Sequence, residues 1–406
     1  MDTIPLSLPI LMDGATGTEL IKRGMPAGVC TEQWALEHPQ VLLEVQRAYA
    51  QAGSRVLLAP TAGANRAALE RREIRGQVGA YNRRLVELTR QAAGEGVLVA
   101  GDLAPAGLAL LPFGESSFEE LVAVYTEQAA ALEAAGVDLF VLETMTNMAE
   151  ARAAVLACKS VSDKPVWVSF TCDDEGRTPS GTDVLAGLIV MQGMGVSAFG
   201  LNCTSPADTA EQLERLAPYA SVPLIAKPSA GLPGACCGPE ELAGLVPRWA
   251  AAGARIFGGC CGAGPEHVAA LARAAAQVDY AAFPAVERDP DVIPCASETE
   301  ARFITPDVDV GEVIECTPDL MEDILEAEEQ SPQGALKIAI LEEDDLDIFA
   351  ENQYVVKDAL CLWSDVPELL EKALRLYQGR AFWDGTGDLE EPFLREMAVR
   401  YGLVLL

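Results

Sequence analysis

Two short cysteine-containing segments hold the residues of this chain that are best suited to chemistry. They are Gly200-Leu201-Asn202-Cys203 and Gly258-Gly259-Cys260-Cys261-Gly262. Adjacent cysteines rarely pair with each other because the ring that would close is strained, so both sulfurs are available to one external partner. Three cysteine ligands leave tetrahedral Zn²⁺ with an open fourth position, which is typical of catalytic zinc. We therefore predict a zinc site formed by Cys203, Cys260 and Cys261.

A buried cysteine is often only a small apolar side chain, and that alternative applies to each of the three. Each predicted ligand, however, follows a short apolar run that reads as a strand, and glycines flank the pair on both sides. Glycine lets the backbone bend sharply and approach a bound group closely, so these features favour metal binding. A second pair, Cys236-Cys237, lies in a Pro/Gly-rich loop without a preceding strand. We predict that this second pair does not bind metal.

The first 280 residues alternate between apolar runs of strand length and longer stretches with helical spacing. Parallel strands covered by helices on both faces read as continuous apolar runs, and several helical stretches end at a glycine, as helices commonly do. Eight such units predict an α/β fold, a closed (β/α)₈ TIM barrel. The predicted strands begin at Ile10, Val56, Val97, Leu139, Val166, Ala198, Leu224 and Ile256, and the predicted helices span 39–52, 118–135, 149–161, 207–219, 239–252 and 265–277.

The predicted zinc ligands and one acidic residue stand at strand ends. Active sites of such barrels lie at the carboxyl ends of the strands, and Cys203 follows the sixth run while Cys260 and Cys261 follow the eighth. Glu143 follows the fourth run, where a carboxylate is costly without a cationic partner. A cationic group of a bound ligand and a structural salt bridge are the two candidate partners, and we favour the ligand.

Three further polar residues at strand ends have less specific interpretations. Asp13 reads equally well as a substrate ligand and as a cap of the first strand, and Asp102 reads as a structural acid at the barrel rim. Asn202 is predicted to orient Cys203 or to donate a hydrogen bond to the metal-bound sulfur.

Composition limits the classes of partner. The formal net charge of −32 argues against nucleic acid and anionic membrane surfaces, because both repel an acidic protein. There is no run of eighteen apolar residues and no basic N-terminal segment before an apolar one, so the sequence predicts neither a membrane span nor a signal peptide. Eleven cysteines without a framework spacing suit a reducing compartment. We expect a cytoplasmic protein.

The acidic charge is concentrated towards the C-terminus. Residues 281–406 contain 30 Asp and Glu against 9 Lys and Arg, whereas residues 1–280 contain 31 against 20. We therefore predict a barrel domain with the zinc site over residues 1–283, a linker over 284–306, and a small acidic α/β domain of unknown role over 307–406. In the last domain we predict strands at 336–341 and 380–383 and helices at 366–377 and 392–401.

Five motifs resemble the homocysteine S-methyltransferase family, which includes the betaine and S-methylmethionine enzymes and the N-terminal module of cobalamin-dependent methionine synthase. The motifs are DGATGTEL at 13–20, GANR at 63–66, ETM at 143–145, GLNC at 200–203 and GGCCG at 258–262. The resemblance covers roughly residues 8–280. It implies a zinc-containing barrel that activates homocysteine as a thiolate and transfers a methyl group to it, giving methionine.

The resemblance also implies roles for individual residues. The zinc ligands correspond to Cys203, Cys260 and Cys261, and Glu143 corresponds to the carboxylate that receives the substrate ammonium. No catalytic side chain is predicted beyond zinc activation of the substrate thiol. The predicted substrate-binding residues are Asp13, Gly14, Ala15, Thr16, Glu143 and Asn202.

Three segments around the predicted mouth depart from the family pattern. Residues 59–62 lack the aromatic and amide that many members carry before GANR, the seventh strand ends in Lys227-Pro228-Ser229 where Pro-Asn is common, and Ala263-Gly264 follows GGCCG where Thr is common. The zinc set is intact, so the departures bear on the methyl-donor side of the mouth.

Three functional hypotheses therefore stay open. The first is a free-standing enzyme that uses a small onium donor such as S-methylmethionine. The second is one component of a split system that takes the methyl group from a corrinoid protein, with the acidic C-terminal region as a docking surface. The third is a zinc-binding or regulatory protein without turnover.

Overall fold

Eight parallel strands form a nearly closed barrel in the computed structural model, which describes residues 7–231, 237–283, 286, 288–331 and 334–406. The strand order is β1-β8-β7-β6-β5-β4-β3-β2, and a bridge between Met12 and Val56 joins the two ends of the sheet. The predicted TIM barrel is confirmed. Its strands are β1 Ile10–Leu11, β2 Val56–Ala59, β3 Leu98–Leu103, β4 Leu139–Met145, β5 Val166–Phe170, β6 Ala198–Asn202, β7 Leu224–Lys227 and β8 Ala254–Phe257.

Twelve α-helices accompany these strands within the described part of the chain. They are α1 Thr16–Lys22, α2 Thr31–Glu37, α3 Pro39–Ala52, α4 Arg66–Glu70, α5 Val78–Ala93, α6 Phe118–Ala135, α7 Met148–Val161, α8 Val184–Gly193, α9 Pro206–Leu216, α10 Pro239–Ala243, α11 Val246–Ala251 and α12 Pro265–Gln277. The helix predicted over 239–252 is two short helices. The chain turns at Gly244 and Leu245, and Pro247 lies in the first turn of the helix that follows, a position that proline favours.

The barrel strands are buried on both faces, which explains their continuous apolar runs. One set of side chains, including Met12, Val141 and Trp167, fills the interior of the barrel. The alternate set, including Phe140, Phe170 and Phe199, packs against the helices. This double burial fixes the direction of each strand and so brings all eight carboxyl ends to one mouth.

A β-hairpin occupies much of the range that composition indicated as a linker. Its strands are β9 Ile293–Ala296 and β10 Ala301–Ile304. The hairpin lies against the barrel, where the Asp183 N–H donates to the Thr299 carbonyl at 2.9 Å and Arg177 forms a salt bridge with Glu300 at 2.9 Å. The boundaries of the three predicted domains stay a prediction, but residues 293–304 are packed structure rather than an extended connection.

The C-terminal unit is a five-stranded parallel sheet whose strands follow one another in sequence order. A sequential order with right-handed crossovers places the connecting helices on one face. The hairpin covers part of the opposite face, where Cys295 and Ile304 pack with Cys361 and Phe382. The elements are β11 Val313–Glu315, α13 Leu320–Gln330, β12 Ala335–Ala339, α14 Glu343–Asn352, β13 Ala359–Trp363, α15 Pro367–Leu376, β14 Phe382–Trp383, α16 Glu391–Tyr401 and β15 Val404–Leu405.

A buried arginine of the barrel joins the two units. Arg152 on α7 is fully buried and donates to the carbonyls of Leu374, at 3.0 Å, and Arg375, at 3.2 Å, at the end of α15. Burial lowers the pKa of Arg152 to about 10, so it stays charged at neutral pH and can satisfy the helix-end carbonyls. Among the described residues, no helix has the length and apolar character needed to cross a bilayer.

Candidate functional site

The carboxyl ends of the barrel strands surround a cavity of about 270 Å³. Most of the predicted site residues meet there, although they are far apart in sequence. The cavity is lined by Asp13, Gly14, Ala15, Thr16, Gly17, Thr18, Thr31, Glu32, Leu58, Pro60, Ala62, Asp102, Glu143, Lys227, Cys260 and Cys261.

The three predicted metal ligands lie together at this mouth. The sulfurs of Cys203, Cys260 and Cys261 are all within 4.8 Å of one another. Cys203 and Cys260 form a disulfide, and the Cys203 and Cys261 sulfurs are 3.7 Å apart. The cysteine of the second pair that the structure describes, Cys237, is not part of this group, and Cys236 lies outside the described residues.

The glycines around the cysteine pair allow the backbone to pass closely between neighbouring strand ends. The Gly259 N–H donates to the Asp13 carbonyl at 3.1 Å, and the Cys260 N–H donates to the Pro228 carbonyl at 2.8 Å. Gly262 has a φ of +80°, and a Cβ there would lie 2.2 Å from the Gly231 carbonyl oxygen. No other residue type fits that position without displacing backbone.

Asn202 is hydrogen-bonded to Thr144 and directly precedes Cys203, and both of these residues have left-handed backbone. Thr144 and Cys203 have φ values of +57° and +56°, which non-glycine residues adopt only at a cost. The Asn202 side chain accepts from the Thr144 N–H at 2.8 Å and donates to the Cys260 sulfur at 3.8 Å. Asn202 is fully buried and is not among the residues that line the cavity. The structure therefore places it as a support of the cysteines, not against the cavity that would hold a substrate.

The cysteine group fits a metal of the zinc type. Two sulfurs bound tetrahedrally at about 2.3 Å from a metal are separated by roughly 3.8 Å, and the distance between the Cys203 and Cys261 sulfurs is 3.7 Å. The amide of Asn202 adds a hydrogen bond from outside the ligand set, as metal-bound ligands usually receive. All three sulfurs could serve as ligands only with the disulfide reduced, because a metal-bound cysteine is a thiolate.

The first turn brings main chain and one hydroxyl group to the cavity. A Cβ on Gly14 would lie 2.3 Å from the Ala263 carbonyl oxygen, and the Ala15 N–H donates to the same carbonyl at 2.9 Å. Gly14 is therefore required for the turn to lie against the loop that carries the cysteine pair. The Thr16 hydroxyl is buried without a hydrogen-bond partner, so it is available to a ligand.

Glu143 has a cationic partner in the protein itself. Its Oε1 lies 2.6 Å from the Nζ of Lys227, at the end of β7, and the two side chains are 13% and 4% exposed. Burial alone would lower the pKa of Lys227, but the carboxylates of Glu143 and Asp13 raise it above its usual value. Glu143 therefore forms a structural salt bridge and also lines the cavity, where it can contact a ligand. Both predicted roles of Glu143 remain possible on this geometry.

Three further carboxyl groups, those of Asp13, Asp102 and Glu32, line the same cavity. Asp13 accepts from the Leu58 N–H at 2.9 Å, and burial raises its pKa to about 7 although Lys227 and this hydrogen bond lower it. Burial, together with the charge of Glu143, raises the pKa of Asp102 well above its usual value. Without an additional cation in the cavity, the charged forms of Asp13 and Asp102 are therefore destabilised relative to their neutral forms.

Sequence reasoning did not assign Lys227 or Asp102 to the site. Both stand at the end of a predicted barrel strand, and a lysine there is unusual because lysine is rarely buried without a partner. A lysine at the end of a predicted barrel strand was therefore the sequence feature that could have identified Lys227 as a site residue. Asp102 was interpreted as a structural acid, whereas the structure places it against the cavity.

A parallel eight-stranded barrel with thiols and carboxyl groups at its mouth defines the class of the protein, a TIM-barrel protein with its site at the carboxyl ends of the strands. Residues 10–275 match the family described as homocysteine S-methyltransferase. The chain belongs to the homocysteine S-methyltransferase family, and the resemblance predicted from its motifs is confirmed.

Relatives support the same assignment. The homocysteine S-methyltransferase of Escherichia coli is 30% identical over 295 residues, which is 64% of this chain and 94% of that protein. The methionine synthase of Mycobacterium leprae is 30% identical over 304 residues, or 68% of this chain. The chain spans about a quarter of the length of the methionine synthases that it matches, 25% for the M. leprae protein.

Solved structures of the E. coli homocysteine methyltransferase MmuM match the same part of the chain. Its oxidised form is 30% identical with a TM-score of 0.57, covering 65% of this chain and 95% of that protein. Its metallated form is 31% identical with a TM-score of 0.56, covering 65% and 96%. The relative's metallated form and the cysteine group of this chain agree with the predicted metal site, and neither identifies the metal.

Proposed function

We propose that this protein transfers a methyl group to the sulfur of homocysteine, giving methionine, and that Cys203, Cys260 and Cys261 hold a Zn²⁺ ion for this purpose. The observation that carries the proposal is the meeting of three cysteine sulfurs, all within 4.8 Å, with carboxyl groups at the mouth of one cavity. Thiol-binding and ammonium-binding groups thus stand together, as an amino-acid thiol requires. We retain the cytoplasmic location as a prediction.

Zinc would bind the substrate thiol at its open position and favour the thiolate, which is the nucleophilic form. The protein's own residues do the positioning. Glu143 and the turn that contains Asp13 and Thr16 would hold the amino-acid end of homocysteine, and Asn202 would hold Cys260 in place. Fixing the sulfur relative to the methyl donor supplies much of the rate enhancement in a displacement of this kind.

We propose a small onium compound such as S-methylmethionine as the methyl donor. The match to a free-standing homocysteine S-methyltransferase over 94% of its length supports this choice. The second candidate donor is a methylated corrinoid protein, which the match to part of a methionine synthase supports.

The first experiment is an assay of methionine formation by reduced, zinc-loaded protein with homocysteine and, in parallel, S-methylmethionine, betaine or methylcobalamin. We expect turnover with an onium donor and about one zinc per chain for a three-cysteine site. Cys260→Ser is expected to lose the bound zinc and to reduce turnover to background. Cys316→Ser, which removes a half-buried thiol of the C-terminal unit, is the matched control and should change neither.

The outcome separates the three hypotheses. Turnover with methylcobalamin alone would favour the split system. Zinc binding without methionine formation from any of these donors would contradict the proposed enzyme and favour a zinc-binding role.

A further inference from the structure

Four ionisable side chains line one part of the cavity, and the proposed reaction gives no role to two of them, Asp102 and Lys227. We call Asp13, Asp102, Glu143 and Lys227 the carboxylate cluster. Asp13 is 1% exposed, Asp102 8% and Lys227 3%. Groups of this kind are seldom buried unless they are paired, so their partners need to be identified one by one.

The lysine of the cluster is already committed to one carboxylate. Lys227 Nζ is 2.6 Å from Glu143 Oε1. Asp13 uses one oxygen to accept from the Leu58 N–H. The other oxygen, Oδ1 of Asp13, and the Oδ1 of Asp102 are both buried without a hydrogen-bond partner. A buried acceptor without a donor costs free energy, and both of these acceptors belong to residues that line the cavity.

The charges of the cluster lead to the same requirement. The three carboxyl groups of the cluster and the neighbouring carboxyl of Glu32 share the cavity with a single lysine, so one cation cannot neutralise all of them. A ligand that brings a second cation with several N–H donors would supply what the two aspartates lack. The α-ammonium of an amino acid is a cation of this kind, with three donors. Glu143 is already paired with Lys227. A bound ammonium would therefore need a further carboxylate as its partner.

We propose that Asp102 binds the ammonium group of the amino-acid substrate together with Glu143, and that Lys227 is a positioning residue that holds the Glu143 carboxylate in place. The inference rests on the proposed function, because it takes the substrate to be an α-amino thiol. It extends that function by making Asp102 a determinant of specificity for thiols that carry an α-amino group.

The test compares two thiols that differ only in this group, homocysteine and 4-mercaptobutanoate. Calorimetry on the zinc-loaded, reduced full chain gives a Kd for each, and their ratio measures recognition of the ammonium. We expect Asp102→Asn to weaken homocysteine binding about 10- to 100-fold, the range for a hydrogen bond to a charged group. Binding of 4-mercaptobutanoate should change less than about twofold, since it makes no such bond.

A matched control and a second variant protect the interpretation. Asp384→Asn removes a carboxylate that pairs with the buried Lys337 at 2.7 Å in the C-terminal unit, and it should leave both Kd values unchanged. Asp102→Ser should reproduce the loss of discrimination if Asp102→Asn folds poorly. Thermal unfolding identifies such a loss of fold.

The possible failures are distinct. An unchanged Kd ratio in both Asp102 variants overturns the inference, and so does equal weakening of both thiols, which would mark a structural role. Failure of wild-type protein to bind homocysteine also overturns it. The proposed function is judged separately, by whether wild-type protein forms methionine, because the calorimetric ratio does not depend on turnover.

Discussion

Asn202 shows how much of this site depends on a residue that need not touch the substrate. Its side chain is shared between the left-handed Thr144 and the sulfur of Cys260, with a Thr144 N–H contact of 2.8 Å and a sulfur contact of 3.8 Å. A donor to a metal-bound sulfur holds the ligand in one orientation and spreads part of its negative charge. The metal affinity of the cysteines should therefore depend on this amide.

Asn202→Asp keeps an acceptor for the Thr144 N–H, but it removes the donor to Cys260 and to the Thr144 hydroxyl and adds a negative charge beside the sulfurs. We expect zinc affinity to fall by about 10- to 100-fold, the usual effect of losing such a partner. Competition with a chromophoric chelator, under reducing conditions, measures it. Asn65→Asp, in the N-cap of α4, is the control, and an equal loss in both variants would refute a specific role for Asn202.

The protonation of Asp13 makes a prediction about stability and pH. Burial raises its pKa to about 7 from an ordinary 3.8, and the nearest charged groups are Lys227, which lowers it, and Glu143, which raises it. Between these two pH values the unfolded chain loses this proton while the folded chain keeps it. The free energy of unfolding therefore falls as pH rises through this window, by up to roughly 4 kcal/mol from this group.

Asp13→Asn removes this titration and keeps an acceptor for the Leu58 N–H. Relative to wild type, its free energy of unfolding should be nearly unchanged at about pH 4 and should rise until about pH 7, then stay level. Urea unfolding of the metal-free, reduced proteins across this range checks the trend. A difference between the two proteins that does not vary with pH would contradict the raised pKa.

The residues of the site differ in how far the sequence could predict them. Cys203, Cys260 and Cys261 were predictable because glycines and preceding apolar runs mark each one locally. The ion pair of Glu143 and Lys227 was not, since its members stand on strands β4 and β7 and nothing local connects them. The position of Asp102 against the cavity was not predictable for the same reason, because a cavity is formed by residues distant in sequence.

The barrel strands were predicted better than the helices around them. Each barrel strand begins within two residues of the predicted position, because the runs are buried on both faces and bounded by polar or glycine residues. The amphipathic helices α3, α6 and α12 have the predicted bounds. Their apolar stripes and terminal signals are local properties, so sequence alone was sufficient.

Helix α8 was not predicted, and its burial explains the failure. Residues Val184 to Met191 are all buried, so the segment has no polar face and no helical periodicity in its sequence. The hairpin strands β9 and β10 and helix α16 pack against α8 in addition to the barrel strands β5 and β6. A helix that is apolar all round requires such a cover, and that cover lies more than a hundred residues later.

The barrel and the C-terminal unit are held together by contacts of unequal strength. Arg152 is fully buried and donates to two carbonyls at the end of α15. Arg375 forms a partly exposed salt bridge with Glu119 on α6, at 2.9 Å. Buried charged donors contribute far more to stability than exposed ion pairs do.

Arg152→Met should leave both carbonyls without a donor and lower the free energy of unfolding by roughly 3 kcal/mol. Arg375→Met, at the same interface, should cost less than about 1 kcal/mol. Denaturant unfolding, followed by tryptophan fluorescence and by far-UV circular dichroism, measures both. Equal costs for the two variants would show that Arg152 is not the principal link between the units.

The hairpin and α16, which pack against α8, also limit which segments of this protein can be exchanged by recombination. The E. coli homocysteine S-methyltransferase aligns over 94% of its length with 64% of this chain, which suggests an interchangeable barrel cassette. In this chain, however, the apolar helix α8 lies under the hairpin and α16. A barrel transferred without the hairpin and α16 would leave that helix facing water, so we expect the barrel and the C-terminal unit to be inherited together.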